Sequence, residues 1–239
     1  MRTLTEPELH VYPEVTALME DLSLWLEKTT HESIKSHGFA SWAVSGGKTP
    51  IPLFRLLADC PGCIPWESVQ IYLVDERDVH PSDPLSNYGM LEGALLNHLK
   101  TPPARTYPWF TLGNPKEGLA LYRRALSPLP RVDGFPALDL ALVGMGGDGH
   151  TASVFPGSPQ QQVTDWVAYG PGPGVNRFTL TLPLLSKARQ IVFLVTGQDK
   201  AERVKECIAG TNLHLPAARL SHDAANVHWF LDREAAGGL

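Results

Sequence analysis

The segment Gly144-Met145-Gly146-Gly147-Asp148-Gly149-His150 combines residue types that can move a proton. Three glycines bracket Asp148, so the backbone there is bent and comes close to something. Histidine is the side chain best poised for proton transfer near neutral pH. Asp148 has two roles open to it: orienting the ring of His150 in one tautomer, or bonding to the loop's own backbone. The plain alternative for His150 is a residue that caps a turn. Thr151 and Ser153 follow, at what reads as the entry to a short helical turn. The other eight histidines, His31, His37 and His98 among them, are assigned to the surface or to packing. No second histidine or carboxylate stands at the usual ligand spacing from His150, so no metal is expected.

Two more polar clusters stand out. Ser45-Gly46-Gly47-Lys48-Thr49 precedes Pro50. Glycines let a backbone approach an anion, and a helix start aims unpaired N–H groups at it. Ser45, Lys48 and Thr49 add hydroxyl and cationic donors. The spacing is neither G-x-x-x-x-G-K-[ST] nor G-x-G-x-x-G, and a tight turn with a solvated lysine would look similar. The third cluster, Asp75-Glu76-Arg77, ends a β-like run. Arg77 either meets an anionic ligand or neutralises the two acids before it.

The elements around these clusters follow from periodicity. Val15, Leu18, Met19, Leu22, Trp25 and Leu26 recur at three- and four-residue intervals, predicting a helix over Tyr12–Ser36. Phe39–Val44, Val69–Val74, Leu138–Val143, Arg177–Leu182, Gln190–Thr196 and Asn226–Leu231 read as strands. Helices are expected over Pro50–Ala58, Asn87–Leu99, Lys116–Leu126 and Asp199–Ala209, the first opened by its proline. Strands alternating with helices predict a mostly parallel sheet covered on both faces. Ligands bind beyond the carboxyl ends of such strands, where all three clusters fall.

The chain has 239 residues, 43% hydrophobic and 19% charged, and a formal net charge of −5. These values suit one α/β domain spanning residues 1–239 and exclude disorder as the main state. The acidic balance argues against a protein that coats nucleic acid. Met1–Glu8 holds three charged residues and a proline, unlike a signal peptide or a membrane span. Among three cysteines, Cys60 and Cys63 flank Pro-Gly in a turn and are expected to be two separate thiols in a reducing cytosol. A cytoplasmic monomer or homodimer is expected, with no membrane contact.

Taken in order, six segments resemble the 6-phosphogluconolactonase family. They are Ser45–Pro50, Asp75-Glu76-Arg77 with Ser86-Asn87-Tyr88, Gly144–Pro156, Arg177–Pro183, Thr196-Gly197 with Lys200-Ala201, and Trp229–Asp232. The wider superfamily holds glucosamine-6-phosphate deaminase and ribose-5-phosphate isomerase. The resemblance implies a three-layer α/β/α sandwich with a mostly parallel, Rossmann-like sheet. It also implies hydrolysis of 6-phospho-D-glucono-1,5-lactone to 6-phospho-D-gluconate in the oxidative pentose phosphate pathway, without a cofactor. By the same resemblance His150 is the base, with Asp148 beside it. Ser45, Gly46, Gly47, Lys48, Thr49, Asp75, Arg77, Asn87, Gly146, Arg177 and Lys200 would meet a sugar-phosphate lactone. Two positions depart from the family: Lys48 where a small serine is usual, and Gly147 where proline is frequent.

Two other functions compete with this one. An amino-sugar-phosphate deaminase or isomerase needs further carboxylates for proton transfer between carbons. Thr151–Pro159, just after His150, contains no acid. A non-enzymatic sugar-phosphate sensor would need no histidine base and would carry a basic DNA-binding helix pair, for which no segment is spare.

Overall fold

Leu140–Val143 and Gln190–Val195 are apolar along nearly their whole length because each is covered on both sides, the mark of an interior parallel strand. The computed structural model describes residues 6–60, 62–109 and 113–239. Its strands are β1 (Glu8–Tyr12), β2 (Ala40–Val44), β3 (Val69–Leu73), β4 (Asp75–Arg77), β5 (Arg105–Tyr107) and β6 (Arg131–Val132). They continue with β7 (Phe135–Pro136), β8 (Leu140–Val143), β9 (Val167–Gly170), β10 (Arg177–Leu180), β11 (Gln190–Val195) and β12 (Val227–Asp232). The helices are α1 (Val15–His37), α2 (Ile51–Ala58), α3 (Asn87–Ala94), α4 (Pro115–Leu126), α5 (Leu182–Leu185), α6 (Ala201–Ala209) and α7 (Pro216–Asp223).

Seven strands form one sheet in the order β1-β12-β11-β8-β2-β3-β5, every pairing parallel. Helices α1, α2 and α3 pack side by side, as do α5, α7 and α6, giving the expected three-layer α/β/α arrangement. From β2 the chain moves outward to β3 and β5; from β8 it moves the other way to β11 and β12. The crevice between β2 and β8 is therefore the topological switch point, where open α/β sheets take their ligands. No helix among the described residues is long and apolar enough to cross a membrane.

Several boundaries differ from the periodicity reading, each for a physical reason. Tyr12 ends β1 and does not start a helix, since its backbone pairs with Asp232. The helix expected to reach Leu99 stops at Ala94, and a short 3-10 turn covers Leu96–His98. Asp75–Arg77 and Arg177–Leu180 leave the main sheet and form, with β9, a separate antiparallel sheet ordered β4-β10-β9. Thr151 and Ser153 open no helical turn; Thr151 bridges to Val154 through a tight turn with Ala152 at φ 53°. Cys60 and Cys63 are joined as a disulfide, correcting the two separate thiols; the turn brings their Cα atoms to 5.7 Å. Strands β1, β5 and β9, the β6–β7 hairpin and α7 were not expected. Residues 1–5 lie outside the described part, and so does most of the segment read as lacking a signal peptide.

The strand that carries the Asp75-Glu76-Arg77 cluster needs help at its end. β5 pairs β3 only through Gln70–Tyr72, so the backbone of Leu73 runs past its neighbour. Tyr122 of α4 completes it: its hydroxyl accepts from the Leu73 N–H and donates to the Leu73 carbonyl, each at 2.7 Å. Trp109 Nε1 donates to the same carbonyl at 3.1 Å and its ring stacks on Tyr122. Tyr122→Phe keeps the packing but leaves the buried Leu73 N–H without its acceptor. The expected loss is about 1–3 kcal/mol in urea denaturation with an unchanged m-value, the cost of an orphaned buried donor.

Candidate active site

The carboxyl ends of β2, β8 and β11 open onto one cleft, walled on the far side by β4 and β10. Its lining includes Ser45, Gly46, Gly47, Thr49, Asp75, Arg77, Asn87, Gly146, His150, Arg177 and Lys200. The structure thus brings together nearly all the residues selected from the sequence, drawn from points far apart in the chain. Two stand differently. Lys48 is exposed and absent from the cleft wall, so its proposed ligand contact is not realised in this geometry. With Gly47 in the left-handed region (φ 93°), the loop turns just before Lys48. Asp148 lies outside the wall as well, but it touches the residue that matters.

The His150 ring is fixed from one side. Its Nδ1 lies 2.6 Å from Asp148 Oδ1, and the His150 backbone N–H donates to the same oxygen at 3.1 Å. An ionised carboxylate only accepts, so Nδ1 carries the proton and Nε2 keeps its lone pair. Of the two roles open to Asp148, it takes both: it fixes the tautomer and closes the loop backbone. Partial burial pushes the Asp148 carboxyl up. The hydrogen bonds from the His150 backbone and ring, with the attraction of the ring, outweigh that effect and leave the carboxyl below its ordinary value. Phe155 lies against the His150 ring with centroids 4.6 Å apart.

The glycine at 146 is required by contact. A Cβ there would collide with the His150 ring and lie 2.7 Å from Asp148 Oδ1. The loop closes on itself through Gly146 N–H to the His150 carbonyl at 2.9 Å and Gly149 N–H to the Gly146 carbonyl at 3.0 Å. A Cβ at Gly147 would meet only Lys200 Nζ at 3.5 Å, ordinary contact, so this departure from the family pattern answers no steric need. It also places the ammonium of Lys200 beside the histidine loop.

Opposite lies a concentrated positive charge. Arg77 and Arg177 occupy paired positions across β4 and β10. Burial holds the Arg177 guanidinium below its ordinary value and repulsion from Arg77 adds to this, while Asp75 and Glu76 act against it. Neither acid neutralises Arg77 through a direct pair. Asp75 accepts from Ser153 Oγ at 2.6 Å. Glu76 accepts from the backbone N–H groups of Arg77 and Asn87, each at 2.7 Å, and of Tyr88 at 2.8 Å, capping the start of α3. Burial nevertheless raises the Glu76 carboxyl, against the lowering effect of these bonds. Arg77 Nη1 donates to Asn87 Oδ1, and Asn87 fills the space a side chain at Gly46 would need. Three residues lining this cleft each hold a buried donor with no protein acceptor among the described residues: Arg77 Nε, Arg177 Nε and Ser45 Oγ. Buried polar atoms are rarely left so, and three on one cleft point to an anionic ligand with several oxygens.

Some of the wall escaped the sequence reading. Leu142, Val143, Leu194 and Val195 floor the cleft as the last residues of their strands. Their only signal was position at a strand end. Ser153, which orients Asp75, gave none beyond its nearness to His150.

Residues 13–229 match the family described as Glucosamine-6-phosphate isomerases/6-phosphogluconolactonase. A 6-phosphogluconolactonase of Synechocystis sp. is 34% identical over 238 residues, covering 98% of each chain. Among solved structures, the 6-phosphogluconolactonase of Trypanosoma brucei superposes with a TM-score of 0.86 at 27% identity, covering 99% of this chain and 100% of that one. A monomeric glucosamine-6-phosphate deaminase superposes with a TM-score of 0.82 at 19% identity, covering 97% and 100%, a likeness of fold alone.

The Asp148–His150 pair makes a titration testable. Because the folded carboxyl lies below its unfolded value near 3.9, the pair's stabilisation is full above that pH and disappears as pH falls through the folded value. Carboxyl-carbon NMR of Asp148 should show a midpoint below 3.9. In His150→Ala the midpoint should rise toward the ordinary value; an unmoved midpoint would mean that the loop backbone alone depresses it.

Proposed function

Because the chain belongs to the glucosamine-6-phosphate isomerase/6-phosphogluconolactonase family, we propose that its cleft hydrolyses 6-phosphogluconolactone, with His150 as the base that activates water. The observation that carries the substrate assignment is that three residues lining the cleft each hold a buried donor without a partner among the described residues, Arg77 Nε, Arg177 Nε and Ser45 Oγ. A phosphate dianion offers the oxygens they lack. The glycine loop at Gly46-Gly47 and Thr49, just before α2, adds backbone and hydroxyl donors at a helix start.

The chemistry follows from the His150 tautomer. Nε2 takes a proton from a water as its oxygen bonds to the lactone carbonyl carbon, and the carbonyl electrons move onto oxygen. Asp148 holds the imidazolium that results. The positive charge of Lys200, beside the histidine loop, lowers the energy of the anionic tetrahedral intermediate. Collapse breaks the bond from carbon to the ring oxygen, which takes the proton back from Nε2 and leaves as a hydroxyl. Water supplies every atom added. The phosphate anchors the far end of the substrate, so its binding energy holds the carbonyl carbon against the base.

The deaminase reading has the same fold behind it, but fold does not separate the two. The absence of an acid in residues 151–159 favours the hydrolase.

Two measurements test the assignment. His150→Ala should lower kcat by about 10²-fold or more with folding little changed, the scale of lost general-base catalysis; turnover like the parent protein's would refute the base. Arg77→Ala should lower kcat/KM about 10²-fold on the phosphorylated lactone and much less on unphosphorylated gluconolactone. Equal losses on both substrates would assign Arg77 to the reacting carbonyl and not to the phosphate.

A further inference from the structure

On the α1 side of the sheet, at the amino end of the strands and so opposite the cleft, three side chains converge. Glu8 and His10 alternate onto the same face of β1, and His228 lies on β12 in register with Glu8. His10 Nε2 is 3.3 Å from His228 Nδ1, His228 Nδ1 is 3.4 Å from Glu8 Oε2, and His10 Nε2 is 3.9 Å from that oxygen. We propose that Glu8, His10 and His228 form a binding site for one divalent zinc-type ion, which clamps the edge strand β1 to β12.

Three features support this site. The first is spacing. Ligand atoms at about 2.0–2.1 Å from a tetrahedral zinc stand about 3.3–3.4 Å apart. Two of the three separations match this, and the third closes with a small movement of the exposed Glu8 side chain. Octahedral ligands at similar bond lengths would be nearer 3.0 Å apart, which fits less well. The second is ligand chemistry. Two imidazoles and one carboxylate suit zinc and neighbouring transition ions, whereas magnesium and calcium favour oxygen-only sets.

The third feature is support from behind. His228 Nε2 lies 3.0 Å from Gln190 Oε1, which can only accept, so Nε2 carries the proton and Nδ1 turns its lone pair toward the other two ligands. A backing acceptor of this kind is the usual companion of a metal-bound histidine. The rings are also held. His10 stacks on buried Phe230 with centroids 4.3 Å apart, and His228 packs against Trp25 of α1 at 4.8 Å. In the metal-free protein a proton on His10 Nε2 bridges to His228 Nδ1, and a cation takes that proton's place among the three ligand atoms. With three protein ligands and Glu8 exposed, water fills the fourth position. Sequence spacing hides the site, since His10 and His228 are 218 residues apart.

The full-length protein, stripped with a chelator and dialysed, should be titrated calorimetrically with zinc chloride alone. Cobalt(II) chloride serves in parallel as a spectroscopic probe. One zinc per chain is expected, intense visible absorption of tetrahedral cobalt(II), and a Tm raised by about 5 °C or more at 100-fold excess over Kd. His228 is buried and its replacement risks the fold, so the deciding variants are the more accessible Glu8→Gln and His10→Gln. Each should weaken zinc binding by about 10²-fold or more, and Gln190→Leu by about 10-fold. Absence of saturable binding, or an affinity unchanged in both Glu8→Gln and His10→Gln, would overturn the proposal.

Discussion

Two guanidinium groups on directly opposed positions of an antiparallel ladder repel one another, and much of the cleft can be understood as what makes that placement tolerable. Arg77 and Arg177 are held there by backbone register, not by mutual attraction. Asp75 and Glu76 stand close enough to offset the repulsion felt by Arg177, yet both acids are turned to other duties. The result is a patch of positive charge that is balanced but not cancelled. An ion pair formed directly with Arg77 would have been more comfortable for the isolated protein and would have left less field for a dianionic substrate.

The opposite wall works by exclusion of alternatives. Gly146 leaves room for the histidine ring, Asp148 fixes which nitrogen is protonated, and Phe155 limits where the ring can swing. None of these contributes a reacting atom. Together they reduce a flexible side chain to one tautomer in one place, which a general base requires before its basicity counts. The two walls hang from different sheets, and β3 is the link: it runs from the central sheet through Leu73 into β4. That is why a hydroxyl on α4, outside the cleft wall, bears on its geometry.

The sequence revealed the cleft better than it revealed the frame. Glycine-rich segments at strand ends concentrate polar residues in few positions, so Ser45–Thr49, Asp75–Arg77 and Gly146–His150 could be read without coordinates. Long apolar runs likewise marked β2, β3, β8, β11 and β12. What was missed has weak local signals. β1 and β9 are short and mix polar with apolar residues because each lies at the edge of its sheet. β5 is three residues long. Helix α7, Pro216–Asp223, carries two alanines and a leucine on its buried side, and eight residues are too few to display a helical period. Lys48 was misplaced for a different reason: a glycine at positive φ can turn the following residue either way, and residue type does not tell which.

The parallel pairing of β1 with β12 sets an order of events for a chain made from its amino end. Residues 8–12 find their only strand partner among the described residues at 228–232, so β1 waits while more than two hundred residues follow it. Until then its exposed Leu9 and Val11, and the backbone groups facing β12, have no native neighbour. Closing so long a loop comes late, after the more local β2-α2-β3 unit can have formed. An unpaired strand in a nascent chain invites the wrong partner, including the same strand of a neighbouring polypeptide on the same message. Burdens on synthesis of this enzyme therefore fall on residues 8–12, and a chaperone that shelters them until β12 is made would act where the fold is least able to protect itself.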